Sequence, residues 1–166
     1  MPQVVEFEPQ AATKSSNHEP PLAFLDTDVV LGYLRGDPTA AQLFSAESDG
    51  RVRFAINPIV LQELILTTAA GVKPELERII AHLKMLPIDF AKAEALAAEA
   101  ARALDVMPPA PALRKRLAHS NDLIILSSVG DCDFLVTKDK VLGDLVVDDK
   151  PQVVTPKQLV ARLRAA

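Results

Sequence analysis

The sequence predicts a three-layer α/β/α protein, a central parallel sheet flanked by helices, and three observations predict it. Short apolar runs alternate along the chain with segments of helical character. Helix starts are marked by a capping residue followed by proline, as in Asp37-Pro38 and Asn57-Pro58. Acidic residues stand at the edges of apolar segments, where parallel α/β folds bind ligands.

Residues 1–21 contain AATKSSNHEPP, polar and proline-ended without periodicity, and read as a flexible tail or weakly docked arm outside the core. The domain is therefore expected to span 22–166. Leu22 to Leu25 is a short buried-strand pattern, and VVLGYL closed by Gly36 is a short helix. Asp26 falls where that strand is expected to give way to loop. Asp37-Pro38 opens a helix through about Ser48, ended by Asp49-Gly50. RVRFAI, residues 51–56, alternates basic and apolar side chains as a strand does, and Asn57-Pro58 starts a helix running to about Gly71 that carries Glu63.

Pro74 begins a further helical stretch, PELERIIAHLKML, and an alanine-rich helix is expected from about Phe90 to Leu104 with Asp89 as its cap. MPPAPALRKRL, with its prolines, breaks regularity. Ser120 is positioned to cap a helix containing NDLIILSSVG, which sets Asp122 in the first turn, where the helix dipole favours negative charge. Asp133 to Thr137 reads as a buried strand running into Lys138-Asp139, and QVVT with Pro156 opens a last strand and helix.

Composition narrows the function classes. A chain of 166 residues, 49% apolar, is long enough to bury one real core. One cysteine, Cys132, excludes an internal disulfide framework and a multi-cysteine zinc site and fits a reducing compartment, so a cytoplasmic location is expected. Cys132 itself reads as a buried, inert thiol. No apolar run is long enough to span a bilayer, and the N-terminus lacks the pattern of a signal peptide, so no membrane partner is expected. A net charge of −4 would by itself argue against a nucleic-acid partner. Its distribution is uneven, with Arg114-Lys115-Arg116, Arg51 with Arg53, and Lys138 with Lys140 as local basic groups. His18, His82 and His119 are not spaced as a metal pair, and no phosphate-binding glycine loop occurs.

The acids carry the chemistry. Asp26 and Asp139 each follow an apolar strand, so in a parallel sheet both project from the same edge. Asp122 at a helix start and Glu63 on a helix approach that edge from other segments, and Asp28 would share the face of Asp26 if strand geometry persisted that far. Carboxylates held together repel one another unless cations or protons neutralise them, and oxygen donors of this kind suit Mg²⁺ or Mn²⁺. Taken singly, each has an ordinary reading as a helix cap or a solvated side chain.

As an ordered set, LDTDVVLGYL, NPIVLQEL, SNDLIILSSVGDCDFLVTKD and VVTPKQLVARL resemble the PIN-domain family of metal-dependent ribonucleases across nearly all of 22–166. The resemblance implies a PIN-like fold and hydrolysis of RNA phosphodiester bonds. It implies catalytic acids at Asp26, Glu63, Asp122 and Asp139, metal ligation by Asp26, Asp122 and Asp139, and supporting hydroxyls at Thr27 and Thr137. Asp28 stands where the family often has Asn or Ser, and it either adds a ligand or caps the helix. Thr137-Lys-Asp139-Lys-Val-Leu142 lacks the further acid that many members carry there, leaving one or two metal positions open. Arg114, Lys115, Arg116 and Lys138 are the candidate substrate-binding cations.

Small single-domain members are similar to the toxins of VapBC-type toxin–antitoxin pairs. That likeness implies an RNA substrate, a small antitoxin partner and a homodimer. Family toxins usually begin almost at the first strand, whereas this chain has some twenty residues before it. A stand-alone RNA-processing nuclease, or a PIN fold kept as an RNA- or metal-binding assembly module with little catalysis, are the alternative readings.

Overall fold

The computed structural model describes residues 18–106 and 121–166. Five strands, β1 (Leu22–Leu25), β2 (Arg53–Ile56), β3 (Lys84–Met85), β4 (Phe134–Val136) and β5 (Gln152–Val154), form one parallel sheet in the order β3-β2-β1-β4-β5. With helices on its faces, the sheet is the middle layer of the expected α/β/α fold. β1 is central and buried along its whole length, which is why it reads as a continuous apolar run, LAFL, rather than an alternating one. It pairs with β2 through Ala23↔Phe54 and with β4 through Phe24↔Leu135. Phe24, Leu25, Phe54, Ile56, Leu135 and Val136 from these three strands form the centre of the core.

The strand order has one functional consequence. The chain builds outward from β1 to β2 and β3, then returns to lay β4 on the other side of β1. The direction of winding reverses between β1 and β4, so the crevice beyond their carboxyl ends is the topological switch point at which such folds bind ligands.

Helices α1 (Thr27–Leu34), α2 (Pro38–Ser48) and α3 (Pro58–Thr67) follow, and the latter two start where the sequence places them. Asp37 and Asn57 cap α2 and α3 with side-chain oxygens, and the proline after each occupies a first-turn position that needs no N–H donor. α8 (Pro156–Ala165) opens on a full capping box, Thr155 with Gln158. Asp89 accepts the Lys92 amide at 3.0 Å and begins α5 (Phe90–Val106).

Three expectations need correction. Asp26 is not followed by loop: it is the N-cap of α1, so strand passes into helix across one residue. The helix expected to run on to Gly71 ends at Thr67 and is followed by a 3₁₀ turn, Ala70–Val72, and the next helix, α4 (Lys73–Ile80), is shorter than its apolar pattern. Residues Lys84–Met85, expected as helix, instead form β3, because Ala55 and Ile56 of β2 offer a free edge that pairs them, extended by Leu86 N–H to Ile56 C=O at 2.8 Å. α6 (Asp122–Ser128) and the short α7 (Lys140–Asp144) complete the helices of the described residues, the latter unforeseen.

Of the expected N-terminal arm, residues 1–17 lie outside the described part. Its end is docked: Arg53 N–H donates to Pro21 C=O at 2.9 Å, and the Arg53 guanidinium reaches Pro20 C=O and Glu19. Among the described residues no helix is long and apolar enough to cross a membrane.

Candidate active site

The site begins with Asp26. Its backbone N–H donates to Val136 C=O at 3.0 Å, a last rung of the β1–β4 ladder that ties it to the end of the neighbouring strand. Its carboxylate then has two donors, the Thr27 amide at 2.8 Å and the Thr137 hydroxyl at 2.7 Å. Thr137 is buried just past β4, with its N–H held by Val154 C=O, so the hydroxyl has little freedom to turn elsewhere. The same hydroxyl oxygen accepts from the Asp139 amide at 2.9 Å. Asp139 in turn caps α7, its Oδ1 accepting from the Val141 and Leu142 amides at 2.9 and 3.3 Å.

On the other side of Asp26, the buried Thr27 hydroxyl donates to Glu63 Oε2, so α1 and α3 are joined at the site. The second Glu63 oxygen, Oε1, accepts from Asn121 Nδ2 at 3.4 Å. Asn121 immediately precedes Asp122, which is buried in the first turn of α6 at 7% exposure. One connected path therefore runs Asp139, Thr137, Asp26, Thr27, Glu63, Asn121, with Asp122 next in the chain. It links all four acids that the sequence singles out, across segments more than a hundred residues apart in the chain.

Burial pushes the Asp26 carboxyl above the usual aspartate range. The hydrogen bonds from Thr137 and Thr27 act the other way, and the nearby charges of Asp28 and Glu63 add to the upward push. Asp28 does not share a strand face with Asp26, as would follow from continued strand geometry: it lies in the first turn of α1, exposed to solvent. Its effect on Asp26 is electrostatic.

Oxygen donors alone, from carboxylates and hydroxyls, make a hard donor set that fits Mg²⁺ or Mn²⁺ in chemistry. Among the described residues, however, no three His, Cys, Asp or Glu side chains are gathered closely enough to hold one ion between them. The carboxylates of Asp26, Glu63 and Asp139 are engaged by threonine, asparagine and backbone donors.

Two side chains matter here that the sequence reading did not single out as site residues. Asn121 holds Glu63, and the dipeptide Asn121-Asp122 is the only signal for it. Asn57 is fully buried; it caps α3 through Val60 N–H at 3.0 Å and donates to Ser128 Oγ at 3.2 Å, locking α3 to α6 and thus Glu63 to Asp122. Its capping role was legible, its bridging role was not. Lys138 sits beside the site in an ion pair with Asp37 at 3.2 Å, and that pairing with two backbone amides holds the Asp37 carboxyl below its usual range. Arg114, Lys115, Arg116, His119 and Ser120 lie outside the described residues. Cys132 is buried, its thiol pushed up to about 11, which leaves it unreactive. A separate concavity of about 420 Å³, lined by Tyr33, Phe44, Ile79 and His82 among others, does not include the acids.

The chain superposes on a chain of the VapBC2 complex from Rickettsia felis bound to a DNA fragment from its promoter, with a TM-score of 0.59 and 17% identity, covering 81% of this chain and 98% of that one. The fold is PIN-like. A second match, to a chain of a toxin–antitoxin complex from Klebsiella pneumoniae, has a TM-score of 0.51 and 19% identity over 81% of this chain and 97% of that one. No family model and no curated protein matches the sequence. Asp26 and Asp139, the caps that follow β1 and β4, stand at the carboxyl edge of the sheet at its switch point, and Glu63 joins them through Thr27.

Proposed function

We propose that the chain is a Mg²⁺- or Mn²⁺-dependent endoribonuclease, the toxin of a type II toxin–antitoxin pair. The observation that carries this reading is the hydrogen-bonded path joining Asp139, Asp26 and Glu63 and ending beside Asp122 at the switch point. Asp26, Asp122 and Asp139 would hold the ion. Bound there, a divalent cation supplies activation of water and neutralisation of the scissile phosphate. Glu63, held by Thr27 and Asn121, would orient the attacking water, and Thr137 anchors the Asp26 carboxylate. Partial burial of Asp26 strengthens its interaction with whatever cation neutralises it.

Cleavage of a panel of tRNA, rRNA and mRNA fragments with Mg²⁺ or Mn²⁺, abolished in Asp26→Asn and in EDTA, is the expected result. Identical behaviour of wild type and Asp26→Asn would remove the assignment. A small antitoxin is the proposed partner, supported by fold likeness to chains of toxin–antitoxin complexes. Co-expression with a neighbouring small reading frame should suppress cleavage, and loss of that suppression across all candidates would leave a stand-alone nuclease. A homodimer is the proposed assembly, measurable by sedimentation.

One observation favours a second reading. Because no three acids gather in the described residues, the site also suits a module that binds RNA and turns over little. RNA binding with no cleavage across the RNA panel would select it.

A further inference from the structure

Beside the acids lies an open cleft of about 540 Å³ lined by Asp28, Gly32, Arg35, Gly36, Asp37 and Lys138. It starts where the carboxylate network stops. Asp28 is two residues beyond Asp26, and Lys138 directly follows Thr137, whose hydroxyl holds Asp26. From Asp28 to Arg35 the cleft follows α1 for about 10 Å at 1.5 Å per residue, enough to take chain beyond a phosphate held at the acids.

The charges in the cleft are not equivalent. Asp37 is already used: one oxygen accepts from the Thr39 and Ala40 amides at 2.8 and 3.3 Å, and the other receives the Lys138 ammonium at 3.2 Å. Asp37 is thereby fixed by the start of α2 and in turn fixes Lys138 at the cleft. The Arg35 side chain is exposed and makes no ion pair among the described residues. Glycine at position 32 keeps the wall low, for a Cβ there would already stand in van der Waals contact with Asp37. An uncommitted guanidinium, a second cation held in place and a glycine wall suit a phosphodiester.

We propose that this cleft binds the RNA phosphodiester adjacent to the scissile one, with Arg35 as its principal ligand and Lys138, held by Asp37, as the second. The inference rests on the ribonuclease reading for the word scissile, but the binding it predicts does not need catalysis. The test is fluorescence anisotropy of a labelled single-stranded oligoribonucleotide in EDTA, against wild type, Arg35→Gln, Lys138→Gln, the double variant and Asp26→Asn, with thermal melts as folding controls. Each single change should weaken binding about three- to tenfold and lower the slope of log affinity against log salt by about 0.7. Asp26→Asn should bind at least as tightly as wild type, since it removes a negative charge.

Cleavage with Mn²⁺ is read in parallel. If the double variant keeps wild-type affinity and salt slope while wild type cleaves, the subsite is wrong and the nuclease reading stands. If binding depends on Arg35 and Lys138 but wild type never cleaves, the nuclease reading falls and the cleft remains an RNA-backbone site. Absence of RNA binding by wild type overturns the subsite.

Discussion

Asp26 is a side chain whose charge the folded protein tolerates at a cost. Its folded pKa lies above the unfolded one, so between the two values the native state holds more protons and stability falls as pH rises. Below the unfolded value the group is protonated in both states and the penalty vanishes. Asp26→Asn should therefore melt higher than wild type at pH 7, with the gap closing as pH drops through the carboxylate range, while cleavage is lost. A variant that melts below wild type at neutral pH would show that its two hydrogen bonds outweigh burial. Thr137 has the opposite character: its hydroxyl donates to Asp26 and accepts from Asp139 N–H. Thr137→Val should cost about 2 kcal/mol in a urea titration, and lower Tm by about 4–8 °C.

At the scale of elements, Asn57 joins two helices that carry catalytic candidates. Asn57→Ala removes the α3 cap and leaves the Ser128 hydroxyl without that donor, with an expected loss of about 2–3 kcal/mol. Activity should fall more than stability explains, because Glu63 and Asp122 are positioned across the same contact. Elements of this kind were legible where local chemistry decides: Asp37-Pro38, Asn57-Pro58 and Thr155-Pro156 each mark a helix start that the structure reproduces. β3 was not, since two exposed residues, Lys84 and Met85, become strand only because β2 presents an open edge. α7 was not legible because it is five residues long, too short for apolar periodicity to show. Asp26, Asp122 and Asp139 were legible from their places at strand ends and a helix start, and Glu63 only through the ordered motifs of the resemblance. Their hydroxyl and amide connections were not, because a pairing such as Thr27 with Glu63 depends on how α1 meets α3.

For the whole molecule, the proposed cation is a ligand of the native state only. Adding Mn²⁺ at a hundredfold above its dissociation constant should stabilise folding by about 2.7 kcal/mol. EDTA should reverse the shift, and Asp122→Asn should abolish it. An unchanged melting curve with Mn²⁺ would argue that the acids serve only as caps and solvated charges. Affinity should also fall with decreasing pH, because the cation competes with the proton that burial favours on Asp26.

The winding of the sheet also orders events in time. β1, with Asp26, leaves the ribosome early, but its partner β4, with Thr137 and Asp139 beyond it, comes only after β2, β3 and the helices between them. Until β4 docks, Asp26 has neither the Val136 carbonyl nor the Thr137 hydroxyl to hold it. Such long-range pairing closes late in folding. If the chain is a toxin as proposed, the nascent chain cannot assemble its carboxylate network until Thr137 has emerged, 111 residues after Asp26.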